Sequence, residues 1–170
     1  MKVNWIHFPL HPETPLEGQR IEDLFAGRNI DLEAMYRQMK ALMDAERLPY
    51  ARRSHTYNSR MAQELGKWAD TQSSGEAIHD VLFAAYFVEG LNLANVDVLV
   101  TLAADVGLNP EQARRVLSER LFEEAVDADW AKSRQYGITG VPTFVAGGYG
   151  VVGAQPYEKL KQMVICRNTI

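Results

Sequence analysis

The chain has 170 residues, 46% hydrophobic and 24% charged, enough for one domain with a core and an inserted subdomain. Lys and Arg number 18 against 22 Asp and Glu, a net charge of −4, which speaks against a nucleic-acid partner because phosphate binding needs a basic surface. No apolar run nears the ~20 residues of a membrane span, and the opening Met-Lys-Val-Asn-Trp-Ile-His-Phe lacks signal-peptide character; no membrane partner and a cytoplasmic location are expected.

Residues 3–8, Val-Asn-Trp-Ile-His-Phe, alternate and are rich in aromatic and β-branched side chains, which predicts a strand. Pro9, Pro12 and Pro15 then hold the chain irregular, because each fixes its own φ and restricts its predecessor. A short apolar turn, Ile21 to Phe25, follows and ends at Gly27. Leu32, Met35, Tyr36, Met39, Leu42 and Met43 fall at three- and four-residue spacing, a helix with one buried face. A second helix is expected from about Asn58 to Asp70, burying Met61, Leu65 and Trp68. Ser73-Ser74-Gly75-Glu76 has the form of a capping box. It opens a helix that is apolar nearly all round, through Ile78, Leu82, Phe83, Ala85 and Phe87 to Gly90, and so belongs at the centre of a helical cluster.

Val96 to Val106 forms another helix, stopped by Gly107. Asn109-Pro110-Glu111-Gln112 is a start signal: Asn109 caps, Pro110 takes the first helical position and Gln112 can close the box. The pattern runs through Val116, Leu117, Leu121 and Phe122, with a restart through Val126, Trp130 and Tyr136. The character then changes. A loop from Gly137 enters a strand near Thr143, Gly147-Gly148 is a hairpin turn, Tyr149 to Val152 returns, and Pro156 opens a last helix. The order is strand, several helices, strand, turn, strand, helix: an α/β sheet that looks incomplete.

The chemistry available is narrow. The one cysteine, Cys166, can form no internal disulfide, no Cys-x-x-Cys pair and no Cys-based zinc site. His7, His11, His55 and His79 have no partner at metal spacing, so no metal and no cofactor are expected. Cys166 lies near the end of the last helix, where the dipole disfavours a thiolate, and is read as structural. Trp5, Trp68 and Trp130 are expected to fill the core or the seam beside it.

Gly137-Ile138-Thr139-Gly140-Val141-Pro142-Thr143-Phe144 resembles the cis-proline loop of thioredoxin-like proteins, and Gly153-Ala154-Gln155-Pro156 resembles the FrnE-like branch of the DsbA family. Phe8-Pro9-Leu10-His11-Pro12, Glu17-Gly18, Asn58 with Met61-Ala62, Leu82 to Gly90, Leu102-Ala103 and Gly107-Leu108 agree in order, from about residue 5 to 163. The resemblance implies an α/β fold: an incomplete thioredoxin-like sheet with a large all-helical insertion. Residues 1–27 and 125–170 would form the discontinuous thioredoxin-like subdomain and 28–124 the insertion. Residues 3–8 would match the second core strand. The family's first core strand and its Cys-x-x-Cys helix would fall ahead of the segment where this chain begins, so no catalytic residue is assigned.

Pro142 would be the cis-proline, with Val141 and Thr143 beside it contacting an extended substrate. Asn58 would stand near the active-site face or cap the second helix. The function implied is that of a DsbA-like thiol–disulfide oxidoreductase without its redox-active pair, inactive as it stands. The alternatives are a glutathione-dependent isomerase or transferase (hydroxychromene-carboxylate isomerase or kappa-class type) and a non-catalytic peptide-binding module. The partners implied are a protein thiol or disulfide, a peptide, or glutathione. Loss of a neighbour for residues 3–8 also implies a homodimer formed through that region.

Overall fold

The computed structural model describes residues 3–73 and 75–165, so Cys166 lies outside the described residues. The chain divides into two compact units: residues His11–Val126, and the residues before His11 together with those after Val126. This boundary differs from the expected one at residue 27. Residues 11–27 are tied to the helices by polar contacts: Asn58 Nδ2 donates to the carbonyls of Pro12 (3.0 Å) and Thr14 (2.9 Å), and Asn92 Nδ2 donates to that of Leu16 (2.8 Å). Among the described residues, no helix is long and apolar enough to cross a membrane.

The His11–Val126 unit begins with β1 (Gln19–Arg20), α1 (Ile21–Leu24) and α2 (Leu32–Ala45). It continues with β2 (His55–Thr56), α3 (Arg60–Ala69), α4 (Ala77–Phe87), α5 (Val96–Asp105) and α6 (Pro110–Ser118). β1 and β2 pair antiparallel, Gln19 opposite Thr56 and Arg20 opposite His55. The core lies among α3 to α6, where Leu65, Ile78, Leu99 and Leu117 are completely buried and Trp68, Leu82 and Leu102 nearly so. Each such side chain contributes about 1.5–3 kcal/mol. The Asn109 signal is realised: its side chain accepts from the Gln112 N–H at 2.9 Å, with Pro110 at the first helical position.

Two expectations for this unit are corrected. α2 forms over the expected residues, but none of them is buried; Met35, Met39 and Leu42 remain nearly half exposed. Its Tyr36 stacks on Tyr50 at 5.9 Å, which meets Phe87 at 6.3 Å, and its Glu33 pairs with Arg52. The capping box before α4 does not form. Glu76 is the capping residue, already in helical conformation, and makes no side-chain cap bond; Ser74 lies outside the described residues. Here the backbone supplies the turn: Gly75 is buried against the carbonyl of Ala69, where a Cβ would collide, and its own carbonyl accepts from Ile78 N–H at 3.2 Å.

Glu64 on α3 is a fully buried, paired charge. Its Oε1 accepts from Arg60 Nε (2.8 Å) and Arg120 Nη2 (2.6 Å), and its Oε2 accepts from Arg120 Nε (2.8 Å). Arg120 makes this fork from left-handed backbone, φ +54°, just past α6. Arg60 Nη2 reaches on to the carbonyl of Glu123 at 2.8 Å. The network joins α3, the turn after α6 and the start of α7 (Glu123–Gln135), the helix that carries the chain into the second unit.

The second unit holds the opening residues, most of α7, the hairpin strands β3 (Thr143–Ala146) and β4 (Tyr149–Val152), and α8 (Tyr157–Ile165). Residues 3–8 form no strand, contrary to the alternation of their side chains. Instead α7 takes the main chain of His7 by side-chain bonds. The His7 N–H donates to Asp129 Oδ2 at 3.0 Å, and Ser133 Oγ donates to the His7 carbonyl at 3.2 Å. Asp129 and Ser133 lie one helical turn apart and both are buried. Trp5, expected inside, is 42% exposed.

This pinning predicts a measurable cost. Asp129→Ala leaves a half-buried main-chain donor without this acceptor and is expected to destabilise the unit by about 0.5–1.5 kcal/mol. It should also speed amide hydrogen exchange at His7. Ser133→Ala is expected to cost less, because a neutral hydroxyl makes a weaker bond than a carboxylate. Equal exchange rates at His7 in wild type and Asp129→Ala would show that the bond does not hold the segment.

Candidate functional site

The loop between α7 and β3 is shaped by its own backbone. α7 closes with the Ile138 N–H on the Ser133 carbonyl at 3.0 Å. Thr143 turns its hydroxyl inward and donates to the Gly140 carbonyl at 2.7 Å, tightening the turn around Val141 and Pro142. The Gly153 N–H donates to the Pro142 carbonyl at 2.7 Å, so β4 braces the proline from one side. The Val141–Pro142 peptide is cis. Gly147 and Gly148 both take positive φ (59° and 84°), the conformation a two-residue hairpin turn requires.

Val141 is left with free main-chain groups. Among the described residues, neither its N–H nor its carbonyl has a hydrogen-bond partner, and the residue is 49% exposed. The sequence from Gln135 through Tyr157 contains no Asp, Glu, Lys or Arg. The loop can therefore offer main-chain donors and acceptors to an extended chain, but it supplies no acid, no base and no charge that would stabilise a thiolate.

Val141, Pro142 and Thr143 are consecutive in this loop, whereas Asn58 belongs to the helical unit. There Asn58 uses both faces of its amide. Besides the two bonds to Pro12 and Thr14, its Oδ1 accepts from the Arg60 N–H at 2.9 Å, at the entry to α3. Its hydrogen bonds are those of a loop clamp at a helix start. Asp129 and Ser133 escaped the sequence reading. Their only signal is a four-residue spacing of polar groups on a helix, which solvated faces also show.

A paired-helix cluster interrupting a β-containing unit, with a Val-Pro loop feeding a hairpin and a terminal helix, defines a thioredoxin-like protein with a helical insertion. The chain belongs to the DSBA-like thioredoxin domain family, whose profile matches residues 1–164. A crystal structure of a probable DsbA oxidoreductase from Streptomyces coelicolor is 30% identical, covers 93% of this chain and 71% of that one, and superposes with a TM-score of 0.84. A candidate protein disulfide isomerase from Nitrosomonas europaea shares the fold alone, at 15% identity and TM-score 0.63 over 77% of this chain and 70% of that one. The uncharacterised Bacillus subtilis protein YwbO is 28% identical over 109 residues, which are 62% of this chain and 54% of that protein. The chain thus spans about half the length of this curated relative. With one cysteine, it contains no redox pair.

Proposed function

We propose that this chain is the peptide-holding part of a thiol–disulfide oxidoreductase of the FrnE-like branch, and that it performs no dithiol exchange by itself. A single observation carries the reading: the unpartnered main chain of half-exposed Val141, set beside Pro142 whose carbonyl is already engaged by Gly153. A residue in that state is a contact point for an extended peptide, which pairs through its own main chain and leaves side-chain identity open. The family membership and the Streptomyces coelicolor neighbour support the assignment to thiol–disulfide chemistry.

The test is a titration of the labelled chain with an extended peptide carrying a blocked cysteine, read by amide chemical shifts. Shifts centred on Val141 and Thr143 are expected, and the same peptide N-methylated at the pairing position is expected to lose them. Absence of shifts at millimolar peptide would overturn the reading. Shifts produced by S-methyl glutathione but not by the peptide would favour the glutathione-dependent isomerase or transferase class instead.

A further inference from the structure

The helical unit holds one of its own arginines between a carboxylate and a ring. On α2, Glu33 and Tyr36 stand three residues apart, and so on one face of the helix. The guanidinium of Arg52 meets both: its Nη2 donates to Glu33 Oε2, and its centre lies 4.8 Å over the Tyr36 ring. The two partners do not compete, because the carboxylate bonds the edge of the guanidinium and the ring attracts its flat face.

The same spacing recurs on α4, where Asp80 and Phe83 are three residues apart. Both are exposed, Phe83 by 50%. Among the described residues the Asp80 carboxylate makes no hydrogen bond and no ion pair. Along α4, Asp80 marks one end of a groove of about 480 Å³. Ala84, one turn on from Asp80, also lines it and is exposed. The rest of the lining is apolar: Phe87 and Val88 at the end of α4, Met43 of α2, and Leu48 and Pro49 just after α2. Asp80 is the one charged side chain in that lining. Every lining residue belongs to the His11–Val126 unit.

Apolar walls with one placed charge select a ligand that is apolar and carries the opposite charge. Phe83 and Leu48 are each 50% exposed, so the groove is too open to enclose a small molecule. A stretch of polypeptide brings its own cover. We infer that this groove docks a short segment of a partner polypeptide in which an arginine is flanked by apolar residues. The arginine pairs with Asp80 and lies on the exposed surface of Phe83, as Arg52 does with Glu33 and Tyr36. An apolar neighbour enters between Phe87 and Val88 on one side and Met43, Leu48 and Pro49 on the other. Met43, unbranched and polarisable, adapts to apolar side chains of different shape. An acidic segment is repelled by Asp80.

The inference does not rest on the peptide reading at Val141. The two sites lie in different units, and this one reads side chains where the loop offers main chain. The probes are acetyl-Ser-Leu-Arg-Leu-Ser-amide and its citrulline counterpart, which keeps the shape of arginine and removes its charge. Titrated into the labelled 170-residue chain, the arginine peptide is expected to shift the signals of Asp80, Phe83, Ala84 and Met43 together. The citrulline peptide is expected to bind about three- to tenfold more weakly, the combined size of an exposed ion pair and a cation–ring contact. Asp80→Asn is expected to narrow that gap to about twofold, the part the Phe83 ring supplies. Ala84→Arg sets a tethered guanidinium in the groove from an exposed helix position that accepts arginine without loss of fold, and is expected to abolish the shifts.

Equal binding of the two peptides would overturn the inference, as would a gap unchanged in Asp80→Asn. So would a millimolar titration that moves nothing in the groove, or moves only Val141 and Thr143, which would leave the main-chain reading standing alone. Shifts at Asp80 and Phe83 that grow with protein concentration in the absence of peptide would give the groove to a second copy and overturn it as well.

Discussion

Glu64→Ala is expected to lower the stability of the helical unit by about 3–5 kcal/mol, the cost of breaking a buried ion pair from one side. The carboxylate is fully buried and satisfies Arg60 and both arms of the Arg120 fork. Removing it costs most at Arg60, because Arg120 is 38% exposed and keeps Glu123 as a partner. Arg60, whose side chain is only 15% exposed, has little solvent to turn to. The same logic separates two substitutions of Arg120. Both alanine and glycine forfeit the fork, but the residue sits at φ +54°, a conformation costly to any side chain with a Cβ. Arg120→Gly is therefore expected to be less damaging than Arg120→Ala by about 1 kcal/mol.

The exposed i,i+4 pair Arg115–Glu119 serves as the control, since such pairs contribute about 0.3–0.5 kcal/mol. Urea unfolding followed by far-UV circular dichroism measures all four variants. A loss below about 1 kcal/mol in Glu64→Ala would mean that solvent reaches the site and the network is not a buried one.

That network marks the limit of what the sequence could disclose. Asn109-Pro110 and Gly147-Gly148 were legible because a cap and a tight turn are local: their chemistry acts within three or four residues. The apolar spacing of Leu65 and Trp68, and of Leu99 and Leu102, likewise pointed inward, as the core confirms. Periodicity says which residues share a face, not whether another element will cover it, and so α2 is a helix whose methionine face remains exposed. Alternation in residues 3–8 promised a strand, but a strand also needs a neighbour, and the two polar side chains that hold His7 come from more than 120 residues further on. Glu64 and Arg120 are 56 residues apart, and no local pattern joins them. For the candidate site, the Val141-Pro142-Thr143 loop could be placed by resemblance. What could not be read was that Thr143 spends its hydroxyl on Gly140 and Asn58 its amide on Pro12, Thr14 and Arg60.

In a dithiothreitol-driven insulin reduction assay this chain is expected to give no acceleration over dithiothreitol alone, and Cys166→Ser is expected to behave identically. The reason is an electron count. Reducing a disulfide takes two electrons, delivered when one thiolate attacks to form a mixed disulfide and a second thiol of the enzyme resolves it. Cys166 is the only thiol, so an attack would end at a mixed disulfide that only dithiothreitol could resolve, a route with no intramolecular step to outpace dithiothreitol acting alone. Attack itself also needs a thiolate held at low pKa by a helix N-terminus or a nearby cation. In the sequence Cys166 follows the last residue of α8 (Tyr157–Ile165), far from that helix's N-terminal end. Turnover that survives Cys166→Ser would require a reductant other than a protein thiol and would sink the assignment. Turnover abolished by Cys166→Ser would make Cys166 a single-thiol nucleophile and remove its structural reading. If neither occurs and Val141 still responds to peptide, substrate holding and electron transfer are separable in this family member.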